Sequence, residues 1–293
     1  MKKIVAIICI SLVLAGCGPR ILYPHLDWLI PWYMNDYFSL NSRQSSYVKE
    51  SIRQQLRWHC STQLKNYARW LRELHRDLQN PNDPITYQRA ENYWKEIKQF
   101  GKALINQISP DITDFLLTVS DDQIEELFTN LENQNRKMEK KYVNVAAETA
   151  DKNRQKRMIK RMKRWIGPLS EEQKQAVATW NSRLRLTADD WMAHRRKIQN
   201  FYRQLFQQRQ DEVYFRRTVH ELLVYPEHFR SPTYQTDIEY NIAQTIVLFV
   251  DIDRQLTPNQ REKMLNKLSD LAADFDYLSC EPEQDAQPGT VSY

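Results

Sequence analysis

Apolar side chains recur at steps of three and four along nearly the whole chain. Between residues 42 and 79 they fall at Val48, Ile52, Leu56, Cys60, Leu64, Tyr67, Leu71, Leu74 and Leu78. That spacing puts one stripe on one helix. Asn80-Pro81-Asn82-Asp83-Pro84 then ends the helix and starts a turn. A second helix is predicted over residues 85–108, with Tyr87, Trp94, Ile97, Leu104 and Ile108 inward, and a short one over 110–119. Residues 121–165 read as one very long helix whose stripe thins between Ala146 and Gln155. Gly167-Pro168 breaks the chain, and further helices are expected at 170–186, 188–209, 211–223, 234–254 and 258–279. No segment reads better as a strand. The predicted fold is all-α, an elongated antiparallel helical bundle with several long helices.

Composition sharpens this picture. Of five glycines in 293 residues, only Gly101 and Gly167 fall between Arg20 and Gln287. Gly-rich phosphate loops, dinucleotide folds and tight-turned β architectures are therefore excluded. Charged residues at 27% and aromatics at 11% leave enough apolar mass for a real core.

One local pattern comes four times: Leu40-Asn41-Ser42-Arg43-Gln44, Val119-Ser120-Asp121-Asp122-Gln123, Leu169-Ser170-Glu171-Glu172-Gln173 and Leu256-Thr257-Pro258-Asn259-Gln260. Each is an apolar residue, a small polar residue, two variable positions and a Gln. This is the pattern of a capping box, in which a Ser, Thr or Asn side chain accepts from the N3 amide and the N3 Gln reaches back. The motif residues singled out are Ser42 with Gln44 (Asn41 standing at that cap), Ser120 with Gln123, Ser170 with Gln173, and Thr257 with Gln260. Acids at N1 and N2, and Pro258 at N1, suit a helix start.

The N-terminus sets the expected compartment. Met1-Lys2-Lys3 precedes an apolar run over residues 4–14, followed by Leu14-Ala15-Gly16-Cys17. A basic start, a short apolar stretch and small residues describe a secretory signal, too short to span a bilayer. The tetrapeptide resembles a bacterial lipobox. That resemblance implies cleavage before Cys17, lipidation of its sulfur and amine, and no other cofactor. Gly18, rather than Asp, implies the periplasmic face of the outer membrane. The expected division is a signal peptide at 1–16, anchor and aromatic arm at 17–40, helical domain at 41–280 and a disordered tail at 281–293. Without residues 1–16 the chain keeps 40 basic and 37 acidic side chains, so overall charge says little about partners. Cys60 and Cys280 are then the two thiols left in an oxidising compartment, and their pairing would tie the first long helix to the last.

The Leu-Thr-x-x-Gln pattern also resembles the signature of Spy-like and CpxP-like periplasmic proteins, small helical chaperones and stress regulators. Leu256–Gln260 matches it outright, while the other three copies vary the first or second position. A second resemblance starts at Ile21-Leu22-Tyr23, Leu26-Asp27-Trp28, Trp32-Tyr33, Asp36-Tyr37 and Trp58-His59 and extends through most of the mature chain. It is to an uncharacterised family of bacterial lipoproteins, which implies a lipid anchor and a helical fold but no activity.

Candidate chemistry is sparse. Lys152, Arg154, Lys156, Arg157, Lys160, Arg161, Lys163 and Arg164 form a basic run with no acid among them, with Met158, Ile159, Met162 and Trp165 on the other side. It reads either as a site for an anionic partner or membrane, or as a solvated face near a helix end. The compartment argues against nucleic acid. The aromatic arm at 20–38 reads as either a membrane-interface segment or an arm packed on the body. Six His show no metal-ligand spacing, although His220-Glu221 and Glu227-His228 flank one apolar stretch. His59 is expected to make a buried hydrogen bond. Asp251 with Asp253, and Asp189 with Asp190, are the acid pairs, explained by capping and solvation. With no nucleophile elbow, the chain is expected not to be an enzyme. The expected function is binding: chaperone-like holding of envelope proteins, or an adaptor contacting an envelope partner or anionic membrane through the basic helix. Membrane contact through the lipid and an envelope client or partner are the expected partners; the sequence leaves the oligomeric state open.

Overall fold

The computed structural model describes residues 19–281, and within them every regular element is helical. The helices are α1 (Pro19–Leu22), α2 (Leu26–Met34), α3 (Ser42–Thr62), α4 (Leu64–Gln79), α5 (Tyr87–Leu117), α6 (Asp121–Tyr142), α7 (Ala147–Ile166), α8 (Glu171–Arg183), α9 (Ala188–Gln207), α10 (Glu212–Val224), α11 (Pro232–Arg254) and α12 (Pro258–Leu278). The all-α antiparallel bundle expected from periodicity is the fold observed. The lipobox with Cys17, and the tail from residue 282 onward, lie outside the described residues.

Cross-chain contacts fix the topology. α3 and α4 form one bent column, and α5 runs back along it. Asp77 on α4 meets Tyr93 Oη at 2.9 Å, Tyr67 packs against Phe100 with tilted rings and centroids 4.8 Å apart, and Gln55 donates to Asp111 at 2.8 Å. α6 and α9 are antiparallel, with Arg209 on Asp121 at 2.7 Å, Arg196 on Glu132 at 2.5 Å and Tyr142 edge-on to Trp191. α7 and α8 pack through Met158, Met162, Ile166, Val177 and Trp180. α10 follows α5 through His220 and Ser109 at 3.3 Å, and α11 follows α8 through Trp180 Nε1 to Thr245 at 3.1 Å.

The chain therefore crosses the bundle repeatedly between two ends. One end gathers residues near 40, 120 and 208; the other gathers residues near 80, 168 and 256. A column of residues 42–79 is about 57 Å long at 1.5 Å per residue. The two half-length pieces meet at mid-length. The arm α1–α2 lies beside α3, with Tyr23 Oη on His59 Nδ1 at 3.0 Å and Arg53 on Asp27 at 3.1 Å. α12 lies beside α4, where Arg72 pairs with Asp276. Arg20 joins them, on Asp274 at 2.5 Å. One apolar core fills the half built from α3, α5, α6, α9 and α10, around Phe115, Phe128, Leu205, Phe206, Phe215 and Val219. Two further clusters fill the other half.

Three helix boundaries depart from periodicity. The helix expected over 42–79 is interrupted at Gln63. There Ser61 Oγ, Thr62 Oγ1 and Asn66 Nδ2 donate to the carbonyls of Arg57, Trp58 and Thr62, at 2.9, 2.7 and 2.9 Å. Such back-bonding competes with the helix ladder and bends it. The break expected at Pro110 does not occur, because α5 runs through it. Ser109 and Thr113 beside it are buried, and that packing outweighs one lost backbone bond. The single helix expected over 121–165 is two helices separated at residues 143–146, beside the stretch where the apolar stripe thins.

Candidate binding face and paired helix caps

All four predicted caps form. Asn41, Ser120, Ser170 and Thr257 each accept from the backbone N–H of the Gln three residues on. Each Gln Oε1 in turn accepts from the cap backbone N–H at 3.0–3.1 Å. Ser42 does not cap; it is the first residue inside α3, and Asn41 does the work. Asn is as good a cap as Ser.

The caps pair across the chain, which the sequence did not show. Gln44 Nε2 donates to Gln123 Oε1 at 3.0 Å, and Gln123 Nε2 returns the bond at 2.8 Å. Gln173 and Gln260 do the same, at 2.8 and 3.0 Å. The second hydrogen of each amide goes to a carbonyl two residues before the partner's cap. Gln44 donates to Thr118 O at 3.0 Å, Gln123 to Ser39 O, Gln173 to Gln255 O at 3.0 Å and Gln260 to Pro168 O at 2.7 Å. Every donor and both lone-pair directions of each amide are thus occupied, as burial demands. One clasp closes each end of the bundle.

The second end carries another lock. Asp253 and Arg261 are buried together, 2.8 Å apart. Arg261 also donates to Leu78 O at 2.6 Å and to Asp253 O at 2.8 Å, while Asp253 Oδ2 accepts from Ile85 N at 2.9 Å. The pair joins four helix ends and leaves few of its polar atoms unmatched, the condition under which a buried ion pair is tolerable. Solvation does not explain Asp253; Asp251, by contrast, is partly exposed and faces Arg254 at 3.6 Å. Asp189 and Asp190 lie in the first turn of α9.

At mid-length, Cys60 and Cys280 are joined as a disulfide with Cα atoms 5.2 Å apart, and Cys280 N donates to Cys60 O at 3.3 Å. Burial pushes the His59 imidazole down to about 4, so at neutral pH it is uncharged beside the Tyr23 hydroxyl. Glu221 and His228 do meet, at 3.3 Å, but His220 turns to Ser109, and no group of three or more metal-ligating side chains forms among the described residues.

The basic run occupies α7. Lys152 is taken by Glu148 at 2.6 Å, and Arg154 pairs with Asp151. Lys156, Arg157, Lys160, Arg161, Lys163 and Arg164 are exposed and make no ion pair with a described carboxylate. At 100° per residue these six span about 160° of arc, opposite buried Met158, Met162 and Ile166. Six of their pairs are three or four residues apart. At roughly 0.2–0.5 kcal/mol of repulsion each, the face destabilises its helix by about 1–3 kcal/mol. The helix C-terminus offsets part of that.

These features define a class: an antiparallel α-helical bundle, locked at its ends by paired caps and carrying on α7 a cationic face with no ion-pair partner among the described residues. The profile of the family of unknown function DUF6279 matches residues 36–235, more than half of the chain, and the chain belongs to that family. The match takes in α3–α10 and the Gln44–Gln123 clasp, whereas Gln260, Asp253 and Arg261 lie beyond it. No curated protein and no solved structure matches the chain.

Proposed function

We propose that the chain is a lipid-anchored, non-catalytic envelope protein that docks an acidic protein partner through α7. The sequence at Leu14-Ala15-Gly16-Cys17 supports the anchor. The observation that carries the docking is the set of six exposed cations on one helix face that make no ion pair with a described carboxylate. A face that costs its own helix stability is relieved when a partner supplies carboxylates, and such contacts weaken as salt rises.

Chaperone-like holding of unfolded envelope proteins is the second reading, and it is the weaker one. The motif that suggests it is engaged within the chain, where each Gln amide bonds its partner cap. Described exposed apolar side chains outside the arm, such as Leu186, Val213 and Phe249, lie on different segments of the chain.

In-cell crosslinking from α7 tests the proposal. One dominant acidic partner is expected, lost on Lys160→Glu/Arg161→Glu/Arg164→Glu. Unchanged crosslinks in that variant would remove the docking reading, and suppression of client aggregation at equimolar protein would favour holding instead.

A further inference from the structure

The arm is amphipathic in an inverted sense. Its exposed positions between residues 21 and 32 are Ile21, Pro24, His25, Trp28 and Trp32, steps of three and four that make one outward stripe. Ile21 and Trp32 are each 64% exposed and Trp28 is 52% exposed. The acid of α2, Asp27, turns inward to Arg53. Tyr277, 70% exposed on α12, continues the stripe, with the Arg20 guanidinium 4.6 Å over its ring. The acids beside Tyr277 are each matched by a cation, Asp274 by Arg20 and Asp276 by Arg72. Exposed Trp and Tyr beside aliphatic groups have the chemistry of the headgroup region of a bilayer.

The position of the arm along the bundle decides the orientation. Pro19 is buried, and Arg20 and Tyr23 contact Asp274 and His59 at mid-length, next to the Cys60–Cys280 bond. Cys17 is two residues before Pro19, and two residues reach at most about 7 Å. Standing the bundle on either end would lift mid-length roughly 28 Å above the surface, half of a 38-residue helical column. So short a tether does not cover that height.

We infer that the Ile21–Trp28–Trp32 face lies in the headgroup region of a lipid bilayer, so that the bundle lies along the membrane rather than standing on one end. The inference rests on lipid attachment at Cys17, and the two are separable by experiment. Full-length chain is purified from membranes, and the mass of Cys17 reports acylation. The protein is then reconstituted on phosphatidylethanolamine–phosphatidylglycerol vesicles with brominated acyl chains. Tryptophan emission should be quenched, and Trp28→Phe/Trp32→Phe should lose at least two thirds of the quenching. Because both side chains are exposed, the variant should keep its melting temperature. Quenching undiminished in that variant, with Cys17 acylated, would overturn the side-on placement and leave the anchor standing. With Cys17 bare the anchor fails; quenching that still depends on Trp28 and Trp32 would keep the face, and its absence would sink both. A dimer of the Cys17→Ala chain in sedimentation, dissolved by Trp28→Ser/Trp32→Ser, would assign the face to a second copy and overturn the bilayer.

Discussion

The side-chain amides of Gln173 and Gln260, far apart in sequence, exchange two hydrogen bonds at 2.8 and 3.0 Å while each still completes the capping box of its own helix. Gln173 is fully buried and Gln260 nearly so. A residue usually discussed as a local helix signal therefore also sets which helix starts are neighbours. Gln44 and Gln123 repeat the arrangement at the opposite end.

Replacing Gln173 should cost more than a lost cap. Gln173→Ala abandons Gln255 O and half of the Gln260 amide in a buried setting, so a loss of about 2–4 kcal/mol is expected in urea denaturation. Gln173→Glu keeps the acceptor for Ser170 N but loses both donors, and should be destabilised as well. A double-mutant cycle with Gln260→Ala should return a coupling above about 1 kcal/mol. Additive effects would show that the two amides do not act together.

The Asp253–Arg261 pair should show the asymmetry of buried charges. Asp253→Asn leaves the guanidinium without its counter-charge and should cost about 3–5 kcal/mol, whereas Asp253→Leu/Arg261→Met should recover much of that. Equal stability of Asp253→Asn and the parent by thermal melting would contradict the buried placement.

His59 makes stability fall with acid. Its folded value, about 4, lies below the unfolded value of 6.5, so the unfolded chain binds the extra proton between them. Its contribution is complete above pH 6.5, declines as pH drops, and is gone below about 4. Between pH 7.5 and 5 the loss from this one group is about 2 kcal/mol. His59→Asn should flatten that part of the profile; an unchanged slope would place the ring in contact with water.

Opening the Cys60–Cys280 bond frees a loop closed across 220 residues. The chain-entropy treatment gives about 5 kcal/mol for so long a loop. Cys60→Ser/Cys280→Ser should be less stable by about that amount. Amide exchange should rise first in α1 and at the C-terminal end of α12, which that bond holds at mid-length.

Charge reversal on α7 should separate stability from binding. Lys160→Glu/Arg161→Glu/Arg164→Glu removes like-charge repulsion on a solvated face, so the denaturation midpoint should hold or rise slightly. A large drop in the midpoint would mean that these cations hold the fold together.

Apolar steps of three and four were enough to read an all-helical bundle, because burying one stripe per helix is a local pattern with a global consequence. The caps were equally legible, since a capping box involves only four consecutive residues. The basic face could be placed opposite Met158 and Met162 from helix geometry alone. Boundaries were less so. Pro110 and Gln63 depart from the periodic pattern because packing around Ser109 and side-chain bonds from Thr62 decide them. The pairing of the caps and the burial of Asp253 against Arg261 had no signature at all, and the aromatic arm left open which of its aromatics face out. Each depends on which surfaces the columns bring together, and spacing along a chain carries no term for partners 87 residues apart. Sequence determined what each helix is and where most of them start. Tertiary structure decided which starts clasp, which charges are hidden and which aromatics are left facing out.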